Sequence, residues 1–214
     1  MVSAAQSAPM PSRVLILFAH PALQRSRVHR SMGDAVRAMP GVTFHDLYER
    51  YPDFFIDVKA EQELLRSHDM LIFQHPFYWY SAPALVKEWQ DLVLQYGFAY
   101  GEGGTALRGK TTFSVLTTGG PEESYRADAA DRFTVRQLLA PFEQTARQCG
   151  MDYLPPCVFH GTDGLDDTGL SAIATEYVQL IAALRDGTLD RSAARNRERL
   201  NADLARVITN GNAA

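Results

Sequence analysis

Val14-Leu15-Ile16-Leu17-Phe18-Ala19-His20-Pro21 is the stretch that decides the fold. Five apolar residues in a row, with no polar alternation, suit a strand covered on both faces, as happens in a parallel sheet flanked by helices. The run then stops at a histidine and a proline, which begin a loop. The same pattern recurs twice. Met70-Leu71-Ile72-Phe73 runs into His75-Pro76-Phe77-Tyr78-Trp79-Tyr80-Ser81, and the β-branched run Thr111-Thr112-Phe113-Ser114-Val115-Leu116 runs into Thr117-Thr118-Gly119-Gly120.

Helical spacing fills the intervals. Val28, Met32, Ala35, Val36 and Met39 form one stripe, stopped by Pro40-Gly41, before a short second strand over Val42 to His45. Ala60 to Ser67 predicts a second helix, and Leu85, Trp89, Leu92, Val93 and Tyr96 a third. Val135, Leu138, Leu139, Phe142, Ala146 and Cys149 read as one face of a fourth helix ending at Gly150. Pro155-Pro156 introduces a fifth strand around Val158-Phe159, and Leu170, Ile173, Ala174, Tyr177, Leu180, Ile181 and Leu184 mark the last helix. Five strands alternating with five helices predict an α/β fold, a flavodoxin-like doubly wound five-stranded parallel sheet of order 2-1-3-4-5. That order sets strands one, three and four side by side, so their three loops share one edge.

With 214 residues, 46% of them hydrophobic, the chain can bury one full core. The expected organisation is a flexible N-terminal tail over 1–12, one domain over 13–187 and a polar C-terminal extension over 188–214. In that extension Leu200, Leu204, Val207 and Ile208 offer one weak amphipathic helix, read as an appendage. A net charge of -4 argues against nucleic acid and anionic membrane surfaces as partners. Cys149 and Cys157 stand outside any metal-ligand spacing, so no metal is expected and a reducing cytoplasm fits. The opening residues lack a signal peptide's basic and apolar regions, and no apolar stretch approaches the ~20 residues that span a bilayer.

Each loop has a plain reading and a ligand reading. Ser26 suits a helix N-cap, with Arg25, Arg27, His29 and Arg30 nearby, which describes either an ordinary capped helix or a phosphate cradle. The rings of His75, Phe77, Tyr78, Trp79 and Tyr80 suit walls for a flat conjugated ligand, or a patch covered by a second subunit. Thr117-Thr118-Gly119-Gly120 is either a turn or a place where glycine lets backbone approach a ligand. Taken together, a cradle, an aromatic slot and a close-approach loop describe a site for flavin mononucleotide (FMN).

His20, the stretch His75 to Ser81 with Pro83, Lys87 and Trp89, the run Tyr100 to Lys110, and Thr117 to Gly120 resemble the flavodoxin-like NAD(P)H:quinone oxidoreductases. The resemblance covers roughly Val14 to Gly187. It is nearest to the glutathione-regulated potassium-efflux ancillary proteins and their general stress protein relatives, to which Tyr51-Pro52-Asp53 and Ala60-Glu61-Gln62-Glu63 are also similar. It implies FMN as cofactor, NAD(P)H as co-substrate and ping-pong hydride transfer to a quinone or similar small acceptor, in a cytoplasmic homodimer. The alternative it implies is a regulatory subunit in peripheral contact with a membrane potassium-efflux transporter, with redox activity secondary or absent. By the same resemblance His20, Ser26, Arg27, Val28 and His29 hold the phosphate, and Pro76, Phe77, Tyr78, Trp79 and Tyr80 hold the ring. Thr117, Thr118, Gly119 and Gly120 face its pyrimidine end, where Tyr125 stabilises negative charge.

Two positions depart from that family. His29 stands where an Asn helps hold the phosphate, and it is expected to titrate near neutral pH, adding a charge-assisted contact. A histidine that assists Tyr125 is absent; Asp131 or Ala130 occupies its neighbourhood, and Asp131 is taken with Tyr125 as catalytic. Gly104-Thr105-Ala106-Leu107-Arg108-Gly109-Lys110-Thr111 matches the phosphate-loop pattern by letter, but a strand follows it where that mechanism needs a helix. His45 and His68 are read as structural histidines. His160, just past the fifth strand, is read the same way, with the alternative that it approaches the site or an interface.

Overall fold

The structure is a computed structural model that describes residues 11–128 and 133–209. Six strands, β1 (Val14–Phe18), β2 (Val42–Asp46), β3 (Met70–Pro76), β4 (Thr111–Thr117), β5 (Asp152–Tyr153) and β6 (Cys157–Phe159), form one parallel sheet. Its order is β2-β1-β3-β4-β5, with β6 also paired to β4, so the predicted 2-1-3-4-5 sheet is present with its fifth position split in two. Pro155 and Pro156 cause the split. Neither has an N–H to donate, so the pairing with Thr111 and Thr112 lapses and resumes opposite Val115.

The helices are α1 (Arg27–Arg37), α2 (Leu47–Arg50), α3 (Val58–Arg66), α4 (Ala84–Val93), α5 (Val135–Leu138), α6 (Ala140–Gln148), α7 (Asp167–Arg185) and α8 (Arg191–Arg195). Strand alternation sorts the core into two faces. Leu15, Leu17, Leu71 and Phe73 meet α3, α4 and α6 through Leu65, Trp89 and Phe142. Val14, Ile16, Phe18 and Ile72 meet α1 and α7 through Met32, Val36, Tyr177 and Ile181. Each such side chain, fully buried, contributes about 1.5–3 kcal/mol.

Three expectations are corrected. The continuous fourth helix is two helices, because Pro141 cannot donate and its ring crowds the carbonyl four residues back; it opens a new helix instead. The C-terminal extension is no appendage: Leu200, Leu204 and Val207 are buried in the α1/α7 core, and its pieces are α8 and short 3-10 turns instead of one amphipathic helix. The third strand runs on through Gln74, His75 and Pro76, past the end of the apolar run and into what the sequence reads as loop. The N-terminal tail, apart from Pro11 and Ser12, lies outside the described residues.

Glu61 explains two of the sequence motifs. Its buried carboxylate accepts hydrogen bonds from Tyr51 Oη (2.6 Å), Trp89 Nε1 (2.7 Å) and His45 Nε2 (2.8 Å). Burial pushes this carboxyl up, but the three donors outweigh it and hold it below the usual range; burial and the Glu61 contact push the Tyr51 phenol up to about 12. His45 is thus structural, and so is His68, which contacts Leu64 O and Thr43 Oγ1 at 2.7 Å each. The phosphate-loop lookalike is loop and strand, its Lys110 donating to the backbone carbonyl of His68.

Candidate active site

The carboxyl ends of β1, β3, β4 and β6 open into one crevice of about 550 Å³. The first loop leads to the start of α1, where Ser26 Oγ accepts the backbone N–H of His29 at 3.2 Å. That is an N-cap, and it leaves the amides of Arg27 and Val28 with no intrahelical acceptor, facing a crevice both residues line. Arg27 itself departs from expectation: its guanidinium donates to Leu165 O (2.7 Å) and pairs with Asp167 (2.6 Å), tying α1 to the loop before α7.

His20 Nδ1 accepts the N–H of Ala22 at 3.1 Å, so the neutral ring carries its proton on Nε2. His29 packs edge-on against it, ring centroids 5.1 Å apart, and engages Thr117 Oγ1 through Nε2 at 2.9 Å. His29 Nδ1 is buried with no partner among the described residues. The residue is only 1% exposed, and burial, helped by His20 and His75, pushes it well below the ordinary imidazole range. His29 is therefore neutral at neutral pH, which corrects the charge-assisted reading.

The aromatic loop divides in two. Pro76, Phe77 and Tyr78 line the crevice, whereas Trp79 is 93% exposed and neither it nor Tyr80 lines the cavity. Ser81 N–H closes a turn on Tyr78 O at 3.0 Å, and both central residues sit at positive φ, 49° for Trp79 and 62° for Tyr80. Non-glycine residues adopt that backbone at a cost, and such strain concentrates at functional loops. His75 does not join the slot. It faces the core, stacked on Phe142 at 5.9 Å, and burial pushes its imidazole down to about 4.

Beyond β4, Gly119 lines the crevice, and its missing Cβ admits a neighbouring side chain. Neither Gly119 nor Gly120 has positive φ; a Cβ at Gly119 would meet Asp163 Oδ2 at 2.5 Å. Backbone bonds zip this loop to the one after β6, Thr118 N–H to Phe159 O, Gly161 N–H to Gly120 O and Thr162 N–H to Thr118 O, all at 2.9–3.0 Å. The zipper brings His160 to Tyr125, ring centroids 5.4 Å apart. Thr118 Oγ1 donates to Gly120 O at 2.8 Å, so it can only accept from His160 Nδ1 at 3.0 Å, which places that ring's proton on Nδ1. Tyr125 also contacts Phe77, at 6.0 Å. Asp131 lies outside the described residues.

Sequence reading thus missed the wall built by Thr162, Asp163, Gly164 and Leu165, and the pairing of His160 with Tyr125. The signal was present: this loop also follows a strand end on the same edge, where the switch-point rule applies equally.

A crevice in that position defines the class, a doubly wound α/β protein with its ligand site where strand order reverses. The chain belongs to the flavodoxin-like fold family, whose model matches residues 12–181. Among curated relatives, the glutathione-regulated potassium-efflux system ancillary protein KefG of Pectobacterium carotovorum subsp. carotovorum (strain PC1) is 47% identical over 173 residues, 81% of this chain and 94% of that one. Among solved structures, general stress protein 14 of Treponema denticola, in complex with FMN, has a TM-score of 0.77 at 42% identity and covers 80% of this chain and 99% of its own. An NADPH-quinone reductase from P. pentosaceus has a TM-score of 0.72 at 36% identity, covering 79% and 97%. Among the described residues no helix is long and apolar enough to cross a membrane.

Proposed function

We propose that the chain binds FMN in this crevice and passes two electrons from NAD(P)H to a quinone. The observation that carries the reading is the donor set at the start of α1. Arg27 and Val28, with two free first-turn amides, and His20, with an Nε2–H, line the crevice together with Pro76, Phe77 and Tyr78, which offers polar contacts to a phosphate beside an aromatic wall. Arg25 lines the same crevice and offers a cationic side chain, whereas the Arg27 guanidinium is engaged with Leu165 and Asp167. Pro76, Phe77 and Tyr78 would flank the ring system, with Thr117, Thr118, Gly119 and Gly120 at its other side; Trp79 and Tyr80, turned outward, would complete a partner's site or an interface.

The flavin, when bound, supplies the hydride chemistry. This chain's residues would orient it and exclude water from its buried side, and Tyr125, whose hydroxyl can donate or accept a proton, stands beside Phe77 of the crevice wall. Reductant and quinone would occupy the same open face in turn, which gives ping-pong kinetics and parallel double-reciprocal lines. The test is direct: purified protein should bind FMN with micromolar or tighter affinity and oxidise NADPH or NADH only when a quinone is added. A protein that takes up neither FMN nor FAD would overturn the reading.

The identity with KefG supports a second role in peripheral contact with a membrane potassium-efflux transporter. Co-purification with membranes that contain such a transporter, against membranes that lack it, tests this role. Residence in the cytoplasm follows from both readings.

A further inference from the structure

The segment 188–209 lies beyond the family match, which ends at residue 181, yet it reaches back to the site. Arg199 Nη2 pairs with Glu122 Oε2 at 2.6 Å, three residues before Tyr125. On the far side of the same loop, Arg136 Nη1 donates to the carbonyls of Arg195 (3.2 Å) and Arg197 (2.6 Å). Under His160, the Asn201 amide binds both backbone groups of Val158, accepting its N–H at 2.9 Å and donating to its carbonyl at 3.0 Å. The extension thus grips the chain before Tyr125, after it and beneath its histidine neighbour. Between these grips opens a cleft of about 280 Å³, floored by Tyr125 and His160 and walled by Arg199 and Glu198.

We propose that the C-terminal extension is part of the active site, and that Arg199 is a positioning residue which, through Glu122, holds the Tyr125 turn against His160 and shapes the cleft that admits the electron acceptor. The proposal rests on the quinone reductase reading. Stability alone does not account for the pair, because partly exposed ion pairs contribute little to it. What a short Arg–carboxylate contact fixes is direction: the planar guanidinium holds its partner in one orientation. The acceptor class that fits is a flat, uncharged ring system. Tyr125 and His160 supply aromatic rings, and four of the charged groups lining the cleft are paired with one another, Arg199 with Glu122 and Arg126 with Asp128.

The pair also sets the field at His160. Burial pushes that imidazole down, Arg199 adds to the shift, and Glu122 and Glu123 oppose it; Thr118 and Tyr125 are its other polar neighbours. Removing Arg199 leaves the Glu122 charge uncompensated beside His160, so the imidazole should titrate higher. Removing the Glu122 charge while Arg199 remains should make it titrate lower. General loosening of the loop does not produce opposite shifts from two partners of one contact.

The experiment compares full-length wild type, Arg199→Ala, Arg199→Lys and Glu122→Gln. His160 is titrated by NMR in the flavin-free protein, FMN dissociation constants are measured, and steady-state kinetics are run with a small benzoquinone and a larger naphthoquinone. Arg199→Ala should raise the His160 titration midpoint and raise KM for the quinones about 3–10-fold at near-constant kcat, with FMN affinity unchanged. Arg199→Lys should restore the midpoint but only part of the KM, since it keeps the charge without the planar fork. Glu122→Gln should lower the midpoint. Unaltered midpoints and unaltered KM values across the variants overturn the proposal. Should Arg199→Ala fail to fold, the Lys variant, which keeps the charge, and the Gln variant, which keeps the shape of the side chain it replaces, decide the outcome alone. A wild type that reduces no quinone would sink the functional reading instead, and the NMR arm would still decide whether the pair governs His160.

Discussion

His75 and His29 are held neutral by desolvation, His75 with its imidazole pushed down to about 4. Between that value and the unfolded midpoint near 6.5, the unfolded chain binds more protons than the folded one, so stability rises with pH through this window. It is fully present above pH 6.5 and lost as pH falls. A single histidine of this kind contributes a loss of about 2 kcal/mol by pH 5. Urea midpoints at pH 7.5 and pH 5 should differ accordingly, and His75→Gln should flatten the profile; equal midpoints for the wild type would refute the burial argument. FMN affinity, for its part, should not weaken as pH rises from 6 to 8 on account of His29, which has already lost its proton. Glu61 is the other buried ionisable group of consequence. Glu61→Ala strands the donors of Tyr51, Trp89 and His45 and should cost about 3–5 kcal/mol in denaturant melts, with no loss of FMN binding in the fraction that stays folded. The sequence showed which side chains lie near the strand ends, but not which way His75 turns. Strand length decided that. Gln74 and His75 are polar, so the apolar signal stops at Phe73, whereas the strand continues because Gln74 finds Tyr177 Oη at 2.9 Å.

At the scale of elements, β1, β3 and β4 were legible as unbroken apolar or β-branched runs, and α1, α4 and α7 because each carries an apolar stripe at helical spacing. The failures have a common cause: contacts made by distant residues. Cys157–Phe159 reads as the last strand of the sheet; among the described residues its outer edge pairs with no further strand, and Val158 is met there by the side chain of Asn201, far along a polar segment with only a weak apolar period. Nothing local marks that asparagine. Asn201→Ala leaves the N–H and carbonyl of Val158 without their partner and should destabilise by about 1–3 kcal/mol, read as a lower melting temperature and faster hydrogen exchange at Val158. Asn201→Asp should recover only the N–H contact and fall between the two. The lining contributed after β6 was legible only by its place, since Thr162 to Leu165 follows a strand end on the site's edge but carries no aromatic or cationic side chain. The α5/α6 break, by contrast, was open to prediction from Pro141 alone.

For the molecule as a whole, Trp79, Tyr80, Tyr96 and Phe55 expose large aromatic surface, with Phe55 at 83%. Aromatic groups of this size left in water mark interaction surfaces, and a second copy of the chain related by a two-fold axis is the expected occupant. Light scattering at assay concentration should give about twice the 23.8 kDa chain mass, with Trp79→Ser shifting it toward monomer. A monomer with full quinone reductase activity would overturn this expectation while leaving the FMN assignment intact. The chain's two tryptophans occupy opposite extremes, Trp79 almost fully in water and Trp89 fully buried with its indole N–H bound to Glu61. That contrast gives the protein two built-in fluorophores with separable messages. Emission from Trp89 should be blue-shifted and inaccessible to acrylamide until the core melts, while emission from Trp79 should be red-shifted and readily quenched in dilute solution. As concentration rises and two copies meet over the Tyr78–Ser81 turn, the quenchable component should shrink with no change in the buried one, so that association and unfolding can be followed in one cuvette without a label.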